Sequence, residues 1–369
     1  MIPLSEPLLN GNEWKYIKDC LDTNWVSSVG KYVDLFEEEF AKYVGCPRTV
    51  AVINGTSALH LALRTLGIGS GDEVIVSALT FIAPVNAIKY VGATPVFADS
   101  QADTWNMDPE KIEEMITTKT KAIMPVHIYG HPVNMDPILE LAKKHNLYVI
   151  EDATEALGSE YKGRKVGILG DVGIFSFNGN KIMTTGGGGM LVTNSNKIAD
   201  KARFLCNQAK ETKPNKEFYH PDIGFNFRLT NVLAAMGLAQ LEQLPDFVLA
   251  RRKNARLYTG YLQNVPGIIV QDEKPWAVNC FWLFSIVLEE TASLKRDELI
   301  NILASRGIDS RPFFTPVNMF PPYKECQGQT PVAYSLYQRG INLPSSVNLT
   351  QQNISYICTV ITEFIDSQK

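Results

Sequence analysis

From about residue 50 to residue 195 the chain alternates short apolar runs with amphipathic stretches, and this alternation restricts the fold more than any other feature. The pattern predicts strands at 49–53, 73–77, 94–98, 122–127, 148–151, 172–177 and 189–193. Helices are expected at 57–66, 84–91, 109–116, 135–145 and 197–207. Strands joined through helices pair in parallel, and such a sheet is covered on both faces. The fold class is therefore α/β, with a mainly parallel sheet between two layers of helices.

The flanks are different in kind. Residues 1–12 read as an extended arm, and helices at 13–21 and 32–44 follow, joined by a loop holding Trp25, Ser27 and Ser28. Residues 207–228 are polar and irregular, and a loop of that length in a compact domain is usually functional or a subunit contact. A strongly helical run starts at 230, reaches 244 and continues towards 261. Beyond it, a strand at 281–288, a helix at 295–305, an extended stretch at 309–314 and a last helix at 351–366 suggest a smaller α+β lobe. The expected division is an arm (1–12), a large domain (13–244) and a small C-terminal domain (245–369).

Within this frame three segments carry candidate chemistry. The run FSFNGNKIMTTGGGGMLVT (175–193) ends a strand in a tight polar turn that presents one lysine, Lys181. A lysine whose pKa is lowered by partial burial forms a Schiff base with a carbonyl compound; a solvated loop lysine is the plain alternative. The run YVIEDATEALGS (148–159) delivers Glu151 and Asp152 at a strand's C-terminal end, where parallel sheets place their ligands. An aspartate facing a pyridinium nitrogen keeps that ring protonated, whereas a helix cap is the structural role open to the same residue. In NGTSALHLALRTLG (54–67), Gly55, Thr56 and Ser57 open a helix whose free N–H groups suit a phosphate. In this order, the three fit pyridoxal 5′-phosphate (PLP) better than three separate accidents.

Composition removes several classes of function. A formal charge of −4 with no basic stripe argues against a nucleic-acid partner. The first residues lack the basic and apolar regions of a signal peptide, and no apolar run reaches the ~18–20 residues of a membrane span. The six cysteines are scattered without a C-x-x-C pair, as in a reduced, cytoplasmic protein. No metal is expected, because Gly130 and Pro132 around His127 and His131 rule against a helical ligand pair.

With these residues assembled, the chain resembles the DegT/DnrJ/EryC1/StrS family of sugar aminotransferases. The resemblance rests on NGTSALHLAL, EDATEALGSEYKG, GDVGIFSFNGNKIMTTGGGGM, IGFNFRLTNVLAAMGLAQL and GIDSRPFFTPVNMFPPY, in that order over nearly the whole chain. It is similar in particular to the LegC-like enzymes of legionaminic-acid and bacillosamine pathways, and GDP-perosamine synthases look alike too. The resemblance implies fold type I of PLP enzymes, in a cytoplasmic homodimer with shared active sites. It implies Lys181 as the lysine that binds PLP, Asp152 at the pyridine nitrogen and Glu155 near the phenolic oxygen. It also implies Thr56, Ser57 and Ser176 on the phosphate, with Gly55 at the same helix start, and Asn226 reaching that phosphate from the other subunit. Phe81 and Thr154 would lie on opposite faces of the ring.

The implied reaction takes an amino group from L-glutamate to C4 of a nucleotide-linked 4-keto-6-deoxy sugar, for surface glycans. A UDP-linked 2-acetamido sugar is the preferred acceptor, and a GDP-linked 4-keto-6-deoxymannose the alternative. Arg228 and Arg311 suit the sugar nucleotide's diphosphate, with structural ion pairs equally open to them; Ser27 and Ser28 suit the sugar, or a simple turn. Trp276, Phe281 and Trp282 are expected in the core of the small lobe. Two positions depart from the family pattern: Gly187 stands where many relatives have Glu, and Glu155 where many have Gln or His. A lysine at 181 argues against the family's dehydratases, in which it is histidine. Other readings are a PLP-dependent lyase, a non-catalytic regulator on the PLP fold, and a doubly wound binding protein without PLP.

Overall fold

The computed structural model describes residues 1–214, 216–290 and 295–367. Its main sheet has seven strands: β1 (Arg48–Val52), β2 (Glu73–Ser77), β3 (Thr94–Ala98), β4 (Thr120–Met124), β5 (Tyr148–Asp152), β6 (Val172–Ser176) and β7 (Gly189–Thr193). They lie in the order β1-β7-β6-β5-β4-β2-β3. The β2–β3, β2–β4, β4–β5 and β5–β6 pairs are parallel. Strand β7 runs antiparallel to both β1 and β6. No helix separates β6 from β7, so the chain turns straight back, as an antiparallel return requires. The C-terminal ends of β1, β5 and β6 consequently open on one edge of the sheet.

The apolar runs are buried as a doubly covered sheet demands: β2 and β7 are buried at every residue. Helices α1 (Glu13–Asp22) and α2 (Lys31–Val44) both pack on the helix Asn231–Leu241, which is mostly Ala, Leu and Gly. Gly237 permits this closeness, since a Cβ there would sit 2.8 Å from the Phe36 ring and from Thr185.

Where the structure departs from the sequence reading, local causes are visible. Residues 109–116 form two single 3-10 turns, Pro109–Lys111 and Glu113–Met115, rather than a helix, and only Pro109 and Ile112 of the segment are buried, fewer than the apolar face of a packed helix requires. The helical run from 230 is broken at 242–243, and Pro245 lies in the first turn of the next helix, Leu244–Leu262, at a position where its missing N–H costs nothing. The polar stretch 207–228 includes a short hairpin, Glu211–Lys213 with Lys216–Tyr219. A helix at Pro331–Arg339 and a strand at Gly340–Leu343 were not foreseen.

A second, antiparallel sheet joins Ile268–Val270, Phe284–Leu288, Gly340–Leu343 and Arg311–Pro312. The buried residues of its own hydrophobic cluster all come from 255 onward, from Ala255 to Ile365. The first residues of the chain dock here: Ile2 bridges Ile308, and the Leu4 carbonyl accepts from the Ser345 N–H at 2.7 Å. Among the described residues, no helix is long and apolar enough to cross a membrane.

Candidate active site

A cavity of about 600 Å³ lies at the edge where β1, β5 and β6 end, roofed by the small sheet. Each strand end contributes one element to it. After β1, Asn54 starts helix α3 (Gly55–Leu66), and its Oδ1 accepts the Ser57 N–H at 2.7 Å. The first intrahelical bond is Ala58 N–H to Asn54 O, so the N–H groups of Gly55 and Thr56 precede the helix ladder. Gly55 touches the strand beside it: a Cβ would lie 2.9 Å from Ser176 Cβ and 3.4 Å from Thr154 Cγ2. Across the sheet, Gly189 lets the helix start close in, since its Cβ would meet the Asn54 carbonyl carbon at 2.6 Å.

Strand β5 ends in two neighbouring acids with opposite duties, because successive strand side chains point to opposite faces. Asp152 lines the cavity, and its Oδ1 accepts the Thr154 N–H at 3.1 Å. Burial pushes the Asp152 carboxyl up, against the Thr154 hydrogen bonds and the Lys181 charge. Glu151 instead anchors a loop, accepting N–H groups of Gly167 (2.8 Å), Leu169 (2.6 Å) and Gly170 (2.7 Å). His127 Nε2 lies 3.1 Å from Glu151, and His127 Nδ1 accepts the Val133 N–H at 2.9 Å, which places the imidazole proton on Nε2. This histidine is structural.

Beyond β6, the turn carries Lys181 into the same cavity. Its Nζ is 3.7 Å from Glu155 Oε1 and 3.8 Å from the centre of the Trp282 ring. Burial pushes the Lys181 amine down, although Glu155 and Asp152 oppose it. Burial likewise pushes the Glu155 carboxyl up, to about 7, against the Lys181 charge and the Tyr129 N–H, which donates to Oε2 at 2.9 Å. For both groups desolvation outweighs the attraction between them, so burial shifts each towards its neutral form.

Of the residues singled out from sequence, Gly55, Thr56, Phe81, Asp152, Thr154, Glu155, Ser176, Lys181 and Arg311 line this one cavity. Ser57 is adjacent, with its N–H committed to the Asn54 cap. Asn226, Ser27, Ser28 and Arg228 do not line it in this chain. Asn226 bridges Asn207, the Ser27 carbonyl accepts from the Asn231 N–H, and Arg228 bridges Val52. Trp282 is a correction: it is 3% exposed, yet its ring lines the cavity over Lys181 instead of filling the small lobe's core. Phe281, just before it, has a left-handed φ of 49°, and this twist delays the strand to Phe284 and turns Trp282 towards the site. The sequence signal was the aromatic pair itself, but nothing local says which ring turns inward. Asn342, Leu283 and the first residues Pro3, Leu4 and Ser5 also line the cavity and were not foreseen.

The donor set fits PLP on the chain's own geometry. A buried amine can bind the aldehyde, a buried carboxyl shares the cavity, and a helix start with the Gly55 cradle offers N–H groups to a phosphate. Comparison with known proteins agrees. The model of the DegT/DnrJ/EryC1/StrS aminotransferase family matches residues 7–362. GDP-perosamine synthase of Escherichia coli O157:H7 is 48% identical, covering 98% of each chain. GDP-perosamine synthase of Caulobacter vibrioides is 45% identical over 99% of this chain and 98% of its own. The PLP form of Spr1654 from Streptococcus pneumoniae superposes with a TM-score of 0.93 at 28% identity, covering 100% of this chain and 99% of that one. The chain belongs to the DegT/DnrJ/EryC1/StrS aminotransferase family, as a PLP-dependent sugar aminotransferase of fold type I.

Proposed function

We propose that this aminotransferase moves an amino group from L-glutamate to C4 of a GDP-linked 4-keto-6-deoxy hexose. The single observation that carries the chemistry is the Lys181 amine, buried beside Glu155 in the cavity that also holds Asp152. When bound, PLP supplies the electron sink and carries the amino group between the two substrates. Lys181 holds the cofactor and moves a proton at the substrate carbon once its amine is free. Asp152 keeps the ring nitrogen protonated. Glu155, with its carboxyl raised to about 7, keeps a second proton within reach of the lysine. Phe81 and Thr154 confine the ring, and Arg311 at the cavity edge offers a guanidinium to a phosphate or carboxylate.

The nucleotide preference rests on the relatives. UDP was the nucleotide expected from sequence, but three full-length relatives at 48%, 45% and 43% identity are GDP-perosamine synthases. That similarity favours GDP and gives no support to a legionaminic-acid product. The test is competitive. The PLP-loaded protein is given L-glutamate with an equal mixture of GDP- and UDP-linked 4-keto-6-deoxy hexoses, and products are identified by mass. The GDP-linked amino sugar should accumulate first. Exclusive conversion of the UDP sugar would reject the nucleotide assignment while keeping the reaction. A homodimer, with Asn226 completing the partner's site, belongs to the same proposal.

A further inference from the structure

We infer that Arg251 and Ser5 are positioning residues for Lys181, joined through Trp282 and the Asn180 carbonyl into one clamp. The inference rests on Lys181 as the residue that binds PLP. Four groups from distant parts of the chain form a closed circuit of hydrogen bonds. The Trp282 indole N–H donates to the Asn180 carbonyl at 2.7 Å. The Ser5 hydroxyl donates to the same carbonyl at 3.0 Å. Arg251 Nη2 donates to the Ser5 hydroxyl at 3.1 Å, and Arg251 Nη1 donates to the Trp282 carbonyl. Asn180 directly precedes Lys181 in the chain, and the indole that closes the circuit is the ring under the Lys181 amine. The clamp therefore grips the lysine twice, through its backbone and through the face its amine rests on.

The cost of Arg251 makes the case stronger than a tally of hydrogen bonds. It is 2% exposed, and its hydrogen bonds among the described residues go to the Trp282 carbonyl and the Ser5 hydroxyl rather than to a carboxylate. Its Nε is buried without a partner. Burial pulls its guanidinium down to about 10. An unpaired buried cation is expensive, and a methionine would fill the same space without that penalty. What the guanidinium alone supplies is a planar fork that reaches Ser5 and the Trp282 carbonyl together. The first residues are held on their other side as well. The Leu4 N–H donates to Asp309 Oδ2 at 3.4 Å, while Asp309 Oδ1 pairs with Arg311. The segment Pro3–Ser5 is thereby a wall of the cavity tied to both a candidate substrate-binding arginine and the lysine turn.

The test measures PLP capture rather than turnover. Cofactor-free protein is mixed with PLP, quenched with borohydride at set times, and the fraction labelled at Lys181 is read by peptide mass. Ser5→Ala should slow capture about tenfold, and Ser5→Thr, which keeps the hydroxyl, should stay within about twofold of the unaltered protein. Arg251→Lys, which keeps the charge and loses the fork, should behave like Ser5→Ala. Glu6→Gln, on the same segment but outside the circuit, should capture at the unaltered rate. The inference is overturned if Ser5→Ala captures PLP as fast as the unaltered protein, or if Ser5→Thr is slowed equally. Absence of label at Lys181 in the unaltered protein would instead reject the lysine assignment itself, so the two failures are distinct.

Discussion

Lys181 is held by two influences that pull in opposite directions: burial disfavours its charge, and Glu155 and Asp152 favour it. Lys181 and Asp152 were readable from sequence, because a polar turn after one strand and an acid ending another fall on the same sheet edge, whereas Glu155 was singled out only through the family resemblance. Trp282 was not, since its role depends on the left-handed twist at Phe281 and on a lobe folding over the site. Replacing Lys181 by Ala should lower turnover by at least about a thousandfold, as loss of both attachment point and proton carrier requires. Steady-state rates of product formation check it, and a rate within tenfold of the unaltered protein contradicts it. Glu155 gives a pH signature. Its carboxyl rises from 4.5 unfolded to about 7 folded, so the folded chain binds more protons than the unfolded chain between those values. Stability from this group is full below 4.5 and is lost as pH rises through about 7. In cofactor-free protein, Glu155→Gln should therefore gain in Tm relative to the unaltered chain across that window, with the difference level above it. Parallel Tm profiles would show that the carboxyl is not raised.

At the scale of elements, the site exists because helix α3, β6 and β7 approach more closely than side chains ordinarily allow. The glycine run 186–189 was legible as a loop feature, but the reason for Gly189 was not. Its partner is the Asn54 backbone, 135 residues away in sequence by number. Gly189→Ala should cost ~1–3 kcal/mol, because backbone cannot rotate aside as a side chain can. Urea unfolding measures this, and an unchanged midpoint would mean that the helix start is free to shift. Glu151 illustrates the reverse difficulty. From sequence it is an acid beside Asp152 and equally placed to be functional. In the fold it is a fully buried anchor for residues 167–170 through three N–H donors and His127. Glu151→Gln puts an amide N–H₂ against groups that themselves donate, and should destabilise by ~3 kcal/mol or more. A loss below ~1 kcal/mol would argue against that anchoring role.

For the whole molecule, the strand–helix alternation settled the large sheet, including the exact spans of β2, β3 and β7. The small sheet was less legible because its strands are two to five residues long and are paired across wide sequence gaps. The first residues read as an extended arm, and the pairing of Ile2 with Ile308 and the walling of the cavity by Pro3–Ser5 are what the sequence did not reveal. Such contacts are set by tertiary packing and leave no local pattern. Of the candidate residues off this cavity, Asn226 is the one the proposed homodimer assigns to the partner's site, whereas Arg228, Ser27 and Ser28 lie outside the cavity in this chain. The most direct test of the account is a labelling cycle on the PLP-loaded protein. Borohydride should fix the cofactor on Lys181, L-glutamate added first should abolish that label, and a GDP-linked 4-keto-6-deoxy hexose added next should restore it. A label on another residue, or one that glutamate leaves unchanged, would contradict transamination through Lys181.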